Sequence, residues 1–248
     1  ITAYNGTSKV CAVQRISATF TPGASSAYSI APNVSFKPIS TFGGVSDTSC
    51  TMVYNVAGVQ HKVLGFRGSV RLDGFQIGSI PRLRFTGTGI YVPVADVAQS
   101  TFTVAYLNQA DPFDVSDDST SAFSIFGYRG CLYSLDFDFA NQVEYGERVG
   151  CGKRVDIQDS MPTGTVVMDA VPMATFDPFA LALNDSSFGL ISVLHGVGAG
   201  RRASLVAPRC DLGQVGYAPP QEGRAMFNLP FMACSTAPGG NEFYMVFS

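Results

Sequence analysis

Residues 131–139, CLYSLDFDF, decide the fold class. Tyr133, Leu135, Phe137 and Phe139 fall on one parity, and Ser134, Asp136 and Asp138 fall on the other. That period of two belongs to a strand with one face in a core and the other in water. Residues 66–73, FRGSVRLD, repeat the pattern, with Phe66, Val70 and Leu72 set against Arg67, Ser69, Arg71 and Asp73. Further strands are expected near 51–57, 81–91, 153–158, 164–171, 190–194, 203–207, 224–233 and 242–247, separated by Gly and Pro turns. One helical signal stands among them at 175–185, TFDPFALALND. Thr175 is placed to cap it, Asp177 and Pro178 fall in its first turn, and Phe176, Phe179, Ala180 and Leu183 lie at i, i+3, i+4 and i+7. A single short amphipathic helix amid many strands predicts an all-β sandwich or barrel with the helix packed on the sheet.

The 248 residues are expected to form one domain, interrupted by a long Asp- and Ser-rich loop at about 108–124. The chain is 46% hydrophobic but only 14% charged, against a usual charged share of roughly 25%. So few charges on so apolar a chain imply that much of the surface is covered by partners. A net charge of −3 argues against a protein that grips nucleic-acid phosphates, though not against a wall that DNA slides past. No apolar run approaches the roughly 18–20 residues of a membrane span, and no basic-then-apolar signal segment opens the chain. The sequence therefore reads as soluble. Because it starts at Ile1 without Met, a preceding segment is expected to be missing or removed.

Six cysteines, Cys11, Cys50, Cys131, Cys151, Cys210 and Cys234, are scattered without a C-x-x-C pair, which favours buried free thiols over a disulfide framework. His61 and His195 are too isolated to suggest a metal pair and read as satisfied or surface histidines. G-x-S-x-G, H-E-x-x-H and Walker motifs are absent. GVGAG at 196–200 precedes Arg201, Arg202 and a strand, so it reads as a hairpin turn rather than a phosphate cradle. Asp111, Asp114, Asp117 and Asp118 lack the spacing of a calcium loop. No enzyme and no cofactor are expected.

Set in order, GVQHKVLGFRGSVRLDG (58–74), IGSIPRLRFTGTGIYVPVADVA (77–98), FGYRGCLYSLDFDFANQVEYGERV (126–149), VDIQDSMPTGTVVMDAVPMATFDPFALALND (155–185) and GNEFYMVFS (240–248) resemble the tail tube, or major tail, proteins of long-tailed bacteriophages. Gly78, Pro81, Phe85, Gly89, Tyr91, Pro93, Asp96 and Ala98 occupy that family's strand-turn-strand and Tyr-Val-Pro positions. Asn141, Val143 and Glu144 follow its Leu-x-Phe strand, and Pro162, Gly164 and Val167 open the strand leading to the helix. The resemblance spans about residues 45–248 and departs from the pattern in the six cysteines and the Arg201–Arg202 pair. It implies a structural virion protein assembled in the host cytoplasm into hexameric rings. Those rings stack into a tube with other tail proteins, and genomic DNA passes through without specific binding. Ring closure pairs edge strands that would otherwise invite aggregation.

On that reading, Ser134, Asp136 and Asp138 are candidate lumen-facing residues, because carboxylates repel DNA phosphates. An ordinary solvent face, with salt bridges to Arg67 and Arg71, stands beside it. In LRFTGTGIYVPVADVA (83–98), Pro93 is expected to end the strand pairing and open a loop. Tyr91, Pro93, Val94, Asp96 and Val97, with Asp111, Phe113 and Asp114, are then the candidate subunit or ring interface. Rival readings are another ring-forming tail component, an initiator or terminator, or a carbohydrate-binding spike using Tyr91, Tyr106 and Phe113. A hydrolase using Asp136 and Asp138 is the weakest, since neighbouring carboxylates on one face lack the opposed placement such chemistry needs.

Overall fold

The computed structural model describes residues 3–5, 10–12, 33–38, 49–97 and 111–248, apart from 121, 151, 185, 199 and 236–239. Its strands in chain order are β1 (Ala3–Asn5), β2 (Val10–Ala12), β3 (Val34–Phe36), β4 (Cys50–Val56), β5 (Val59–Gln76), β6 (Arg82–Asp96), β7 (Ala122–Ile125) and β8 (Leu132–Asp138). They continue as β9 (Asn141–Arg148), β10 (Gly152–Ser160), β11 (Thr163–Asp169), β12 (Gly189–His195), β13 (Ala203–Leu212), β14 (Gly216–Gln221), β15 (Arg224–Ala233) and β16 (Tyr244–Phe247). Among the described residues a single helix, α1 (Pro178–Ala182), lies between β11 and β12. The protein is all-β, as the alternation predicts. No helix among the described residues is long and apolar enough to cross a membrane.

Twelve strands form one antiparallel sheet along the path β3-β16-β13-β15-β11-β8-β5-β4, with β6 on the other side of β5, β14 on β15, and β7–β12 on β13. The sheet folds so that its halves face each other. Leu72 and Phe75 of β5, Leu135 and Phe137 of β8, and Val166 and Met168 of β11 share one core with Val193 of β12, Leu205 of β13 and Met245 of β16. Alternation places them there: Phe227, Leu229, Phe231 and Ala233 of β15 are buried in sequence step of two, while Asn228 and Pro230 between them are less buried. At the centre, Phe137 is fully buried, with the rings of Phe139, Phe231 and Phe243 at 5.5, 6.0 and 5.3 Å from its own.

The helix differs from its expectation. Asp177, not Thr175, caps it, accepting from the Ala180 N–H at 3.0 Å, and Pro178 occupies the first helical position, where no N–H is required. Starting two residues late, the single turn points Leu181 and Ala182 at the core and leaves Ala180 and Leu183 exposed. Phe179 still packs on Phe227, ring centroids 6.0 Å apart, and Phe176 stacks on Tyr128 at 4.9 Å just before the helix. The expected 108–124 loop is also shorter, because β7 begins at Ala122; its residues 108–110 and 121 lie outside the described residues. Val115 pins the loop by pairing with Ile77 in parallel and exchanging backbone hydrogen bonds with Gly78 and Ser79 at 2.9 Å each.

β9 and β10 form a separate hairpin attached to β5. Arg67 donates to the Val155 carbonyl and pairs with Asp156 at 3.1 Å, and Asn141 donates to the Gly68 carbonyl at 3.0 Å.

Candidate functional site

β5 is too long for the body it belongs to. Its C-terminal part pairs with β8 from Arg71 to Gln76, while its N-terminal part pairs with β4 from Val59 to Phe66, and β6 follows it along nearly its whole length. The result is a three-stranded leaf of β4, β5 and β6 extending beyond the sandwich. At its tip, Ala57 and Gly58 take φ of 49° and 85°, the left-handed pair that a two-residue hairpin turn requires. The Val97 N–H closes on the Gly58 carbonyl at 2.9 Å.

Pro93 does not end the strand. β6 runs through it to Asp96, and the register slips so that His61 of β5 faces both Pro93 and Val94, a β-bulge. Proline is tolerated because β6 is an edge: no described strand lies on its outer side to need the missing N–H. A second bulge at Gly65, whose φ is +59°, sets Gly65 and Phe66 against Gly89 and bends the ribbon where the leaf leaves the body. The Gly68–Gly87 pair nearby lets the two backbones close up, since a Cβ on either would strike the carbonyl of Thr86 or Arg67.

Cross-strand register puts Met52, Val63 and Tyr91 in one row and Tyr54 beside His61, with those rings stacked at 5.0 Å. Met52, Tyr54, Val56 and Tyr91 are 50%, 62%, 49% and 70% exposed on this face. Val53 is exposed on the opposite face. The stretch TMVYNV therefore carries large apolar groups on both parities, a signal for burial on both sides, yet nothing described covers either. Of the candidate interface residues, Tyr91, Pro93, Val94, Asp96 and Val97 share this leaf and all are exposed. Met52 and Tyr54 belong with them and were missed; Ala98 lies outside the described residues.

Asp111, Phe113 and Asp114 lie apart from the leaf, and the first two line a cavity near the β5–β6 turn. The cavity, about 530 Å³, opens between the sheet halves and is walled by Phe75, Leu83, Val193, Leu205 and Met245. Arg82, Arg201, Arg202 and Asp111 also line it. Arg201 lies over the Phe113 ring at 4.4 Å and donates to the Asp111 carbonyl at 3.0 Å.

His195, on the same wall, is buried and satisfied. Its Nε2 donates to the Phe113 carbonyl at 3.3 Å, which leaves Nδ1 to accept from the Thr120 hydroxyl at 3.1 Å. Burial pushes its pKa below the ordinary 6.5, opposed by the Phe113 carbonyl and the Asp114 charge. The unfolded chain therefore takes up this proton first. Unfolding free energy should fall as pH drops through about 6.5 and stop falling from this cause below the depressed folded pKa. Urea unfolding of wild type and His195→Gln between pH 7.5 and 5 checks this; the variant should show a shallower decline.

Ser134, Asp136 and Asp138 do sit on the outer face of β8. Asp136 makes a two-pronged contact with Arg71, at 2.7 and 3.2 Å, and Asp138 accepts from the Ala140 N–H at 2.8 Å and the Ser69 hydroxyl at 3.5 Å. Arg71 thus offsets part of the acidic character, whereas Arg67 turns to Asp156 instead. The Arg71–Asp136 pair is half exposed and stabilises little.

The buried-thiol expectation needs correction. Cys50, Cys131, Cys210 and Cys234 are free, but Cys50 and Cys131 are exposed and only Cys210 is buried, where desolvation pushes its pKa far up. The Cys11 and Cys151 side chains lie outside what is described. Maleimide should therefore label Cys50 and Cys131 in the native protein and Cys210 only after unfolding, as peptide mapping would read directly.

No family model matches the chain, and no curated protein is significantly similar to it. The fold and the exposed leaf therefore define its class by themselves: an all-β protein carrying a large apolar surface outside its own core.

Proposed function

We propose that the chain is a structural subunit that assembles with its own copies, and that the assembly is the stacked hexameric ring of a phage tail tube. The observation that carries the reading is the leaf, with Met52, Tyr54, Val56 and Tyr91 each about half or more exposed on one face. An isolated subunit leaves that face in water; a neighbouring copy covers it and gives the open edge of β6 a partner. The resemblance of residues 58–98 to tail tube proteins turns general self-assembly into a ring and a tube, with genomic DNA passing through the bore. The same residues that looked like a loop tip, Tyr91 to Val97, then lie at a subunit boundary. Other tail proteins would meet the first and last rings, and the particle's place would be the virion.

Sedimentation across a range of concentrations, with electron microscopy of the product, tests the reading. Tubes of uniform bore are expected. Single rings that never stack would favour an initiator or terminator, and a monomer at every concentration would remove self-assembly altogether.

A further inference from the structure

The geometry points to a head-to-tail contact in which the leaf tip of one copy, led by Asp96, enters the arginine-rimmed cavity of the next. This inference rests on the self-assembly reading and names the two surfaces it uses. The cavity has an apolar interior, Phe75, Leu83, Val193, Leu205 and Met245, and a mouth with three arginines against one carboxylate, Asp111. Arg82 and Arg202 are exposed, and neither has an ion-pair partner among the described residues, Arg67, Arg71, Lys153, Arg154 and Arg224 being the cations that do. Such a mouth favours an occupant with an acid beside aliphatic groups.

The leaf tip has that composition. Val94 and Val97 are 47% and 38% exposed, and exposed Asp96 lies between them. Asp96 pairs with Val59, and the turn beside them is Ala57–Gly58, so Asp96 is the one charged residue in the described tip; Lys62, opposite Val92, lies farther back. At about 530 Å³ the cavity falls within the usual range of roughly 300–1,000 Å³ for clefts that hold a ligand. One subunit cannot satisfy itself through this contact. Val59 at the tip and Leu72 and Phe75 at the cavity stand toward opposite ends of β5, roughly 40–50 Å apart at about 3.3 Å per residue. The contact is therefore between copies, and because its two halves differ, passing the tip onward in one direction builds closed rings or open filaments, whereas two copies exchanging tips would stop at a dimer.

Charge reversal tests it in the full chain. Asp96→Arg places a cation against the arginine mouth, and Arg82→Asp with Arg202→Asp reverses two of the mouth's three cations, leaving Arg201, without breaking a described ion pair. Each variant alone should need at least a tenfold higher concentration than wild type to assemble, as sedimentation reads, with unchanged circular dichroism; melting should stay unchanged for Asp96→Arg and fall slightly for the mouth variant, whose new carboxylate at position 82 stands opposite Asp73. Mixed in equal amounts, the two should assemble again, since the cationic tip of the first variant now meets the acidic mouth of the second, and the second's unaltered Asp96 meets the first's basic mouth. The chain carrying all three changes should assemble alone. Wild type that assembles beside equally competent single-surface variants overturns the contact but leaves self-assembly standing. Folded variants that neither mixture nor combination rescues overturn it too. Wild type that stays monomeric overturns both. Laurate supplies the rival occupant, a free amphiphilic carboxylate: if it binds in a way that Arg82→Asp with Arg202→Asp abolishes while assembly is unchanged, the cavity is a small-molecule site and the contact is wrong.

Discussion

Phe137→Ala should lower the unfolding free energy by about 3–5 kcal/mol, the usual cost of removing a fully buried aromatic ring. The side chain is completely enclosed, and three rings surround it: Phe139 two residues on, Phe231 of β15, which shares its row across Gly164 of β11, and Phe243 just before β16. Removing it deletes three ring contacts at once and leaves a cavity that Phe231, whose ring runs nearly parallel at an interplanar angle of 15°, cannot fill without leaving its strand position. Its neighbours in β8, Asp136 and Asp138, keep their outer-face partners, so the loss comes from the core alone. Denaturant unfolding gives the number. A loss under about 1 kcal/mol, well below that usual cost, would mean that this ring cluster is not the close-packed centre of the core.

The body strands were legible because each obeys one rule over its whole length. CLYSLDFDF alternates cleanly, and the structure buries Leu135 and Phe137 while leaving Asp136 and Asp138 at the surface. β14, GYAPPQ, was not legible, since Pro219 and Pro220 forbid a central strand and only knowledge that β14 is an edge makes them acceptable. Pro93 continues its strand for the same reason: whether a missing N–H matters depends on a neighbour strand, which is tertiary information. The helix start moved because two acceptable caps, Thr175 and Asp177, stand two residues apart and local propensity does not choose between them. Of the candidate site, the leaf residues were found from Tyr91 to Val97. Met52 and Tyr54 were read only as strand, although large apolar groups on both parities of one strand ask for cover on both faces. The cavity was beyond sequence, because Arg82 and Arg202 meet only through the facing of β6 and β13.

Met52→Glu combined with Tyr91→Glu should leave a folded chain that no longer assembles. The two residues flank Val63 in one row across β4, β5 and β6 and are 50% and 70% exposed, so neither supports the subunit's own core. Exposed substitutions of this kind usually change stability by within about 0.5 kcal/mol each. In an assembly that covers this face the balance is different. Two carboxylates would be buried in an apolar contact with no cation on the leaf face to receive them, since Lys62 projects from the opposite parity. Even one buried unpaired charge of this sort costs several kcal/mol, and each step of about 1.4 kcal/mol is tenfold in an association constant. Assembly should therefore vanish over any practical concentration range, with melting temperature nearly unchanged. The same change also separates the leaf face from its tip, because it leaves Val94, Asp96 and Val97 intact. Tubes or rings of normal size from this double variant would show that the leaf face stays in water after assembly, and its exposed apolar row would then need another occupant.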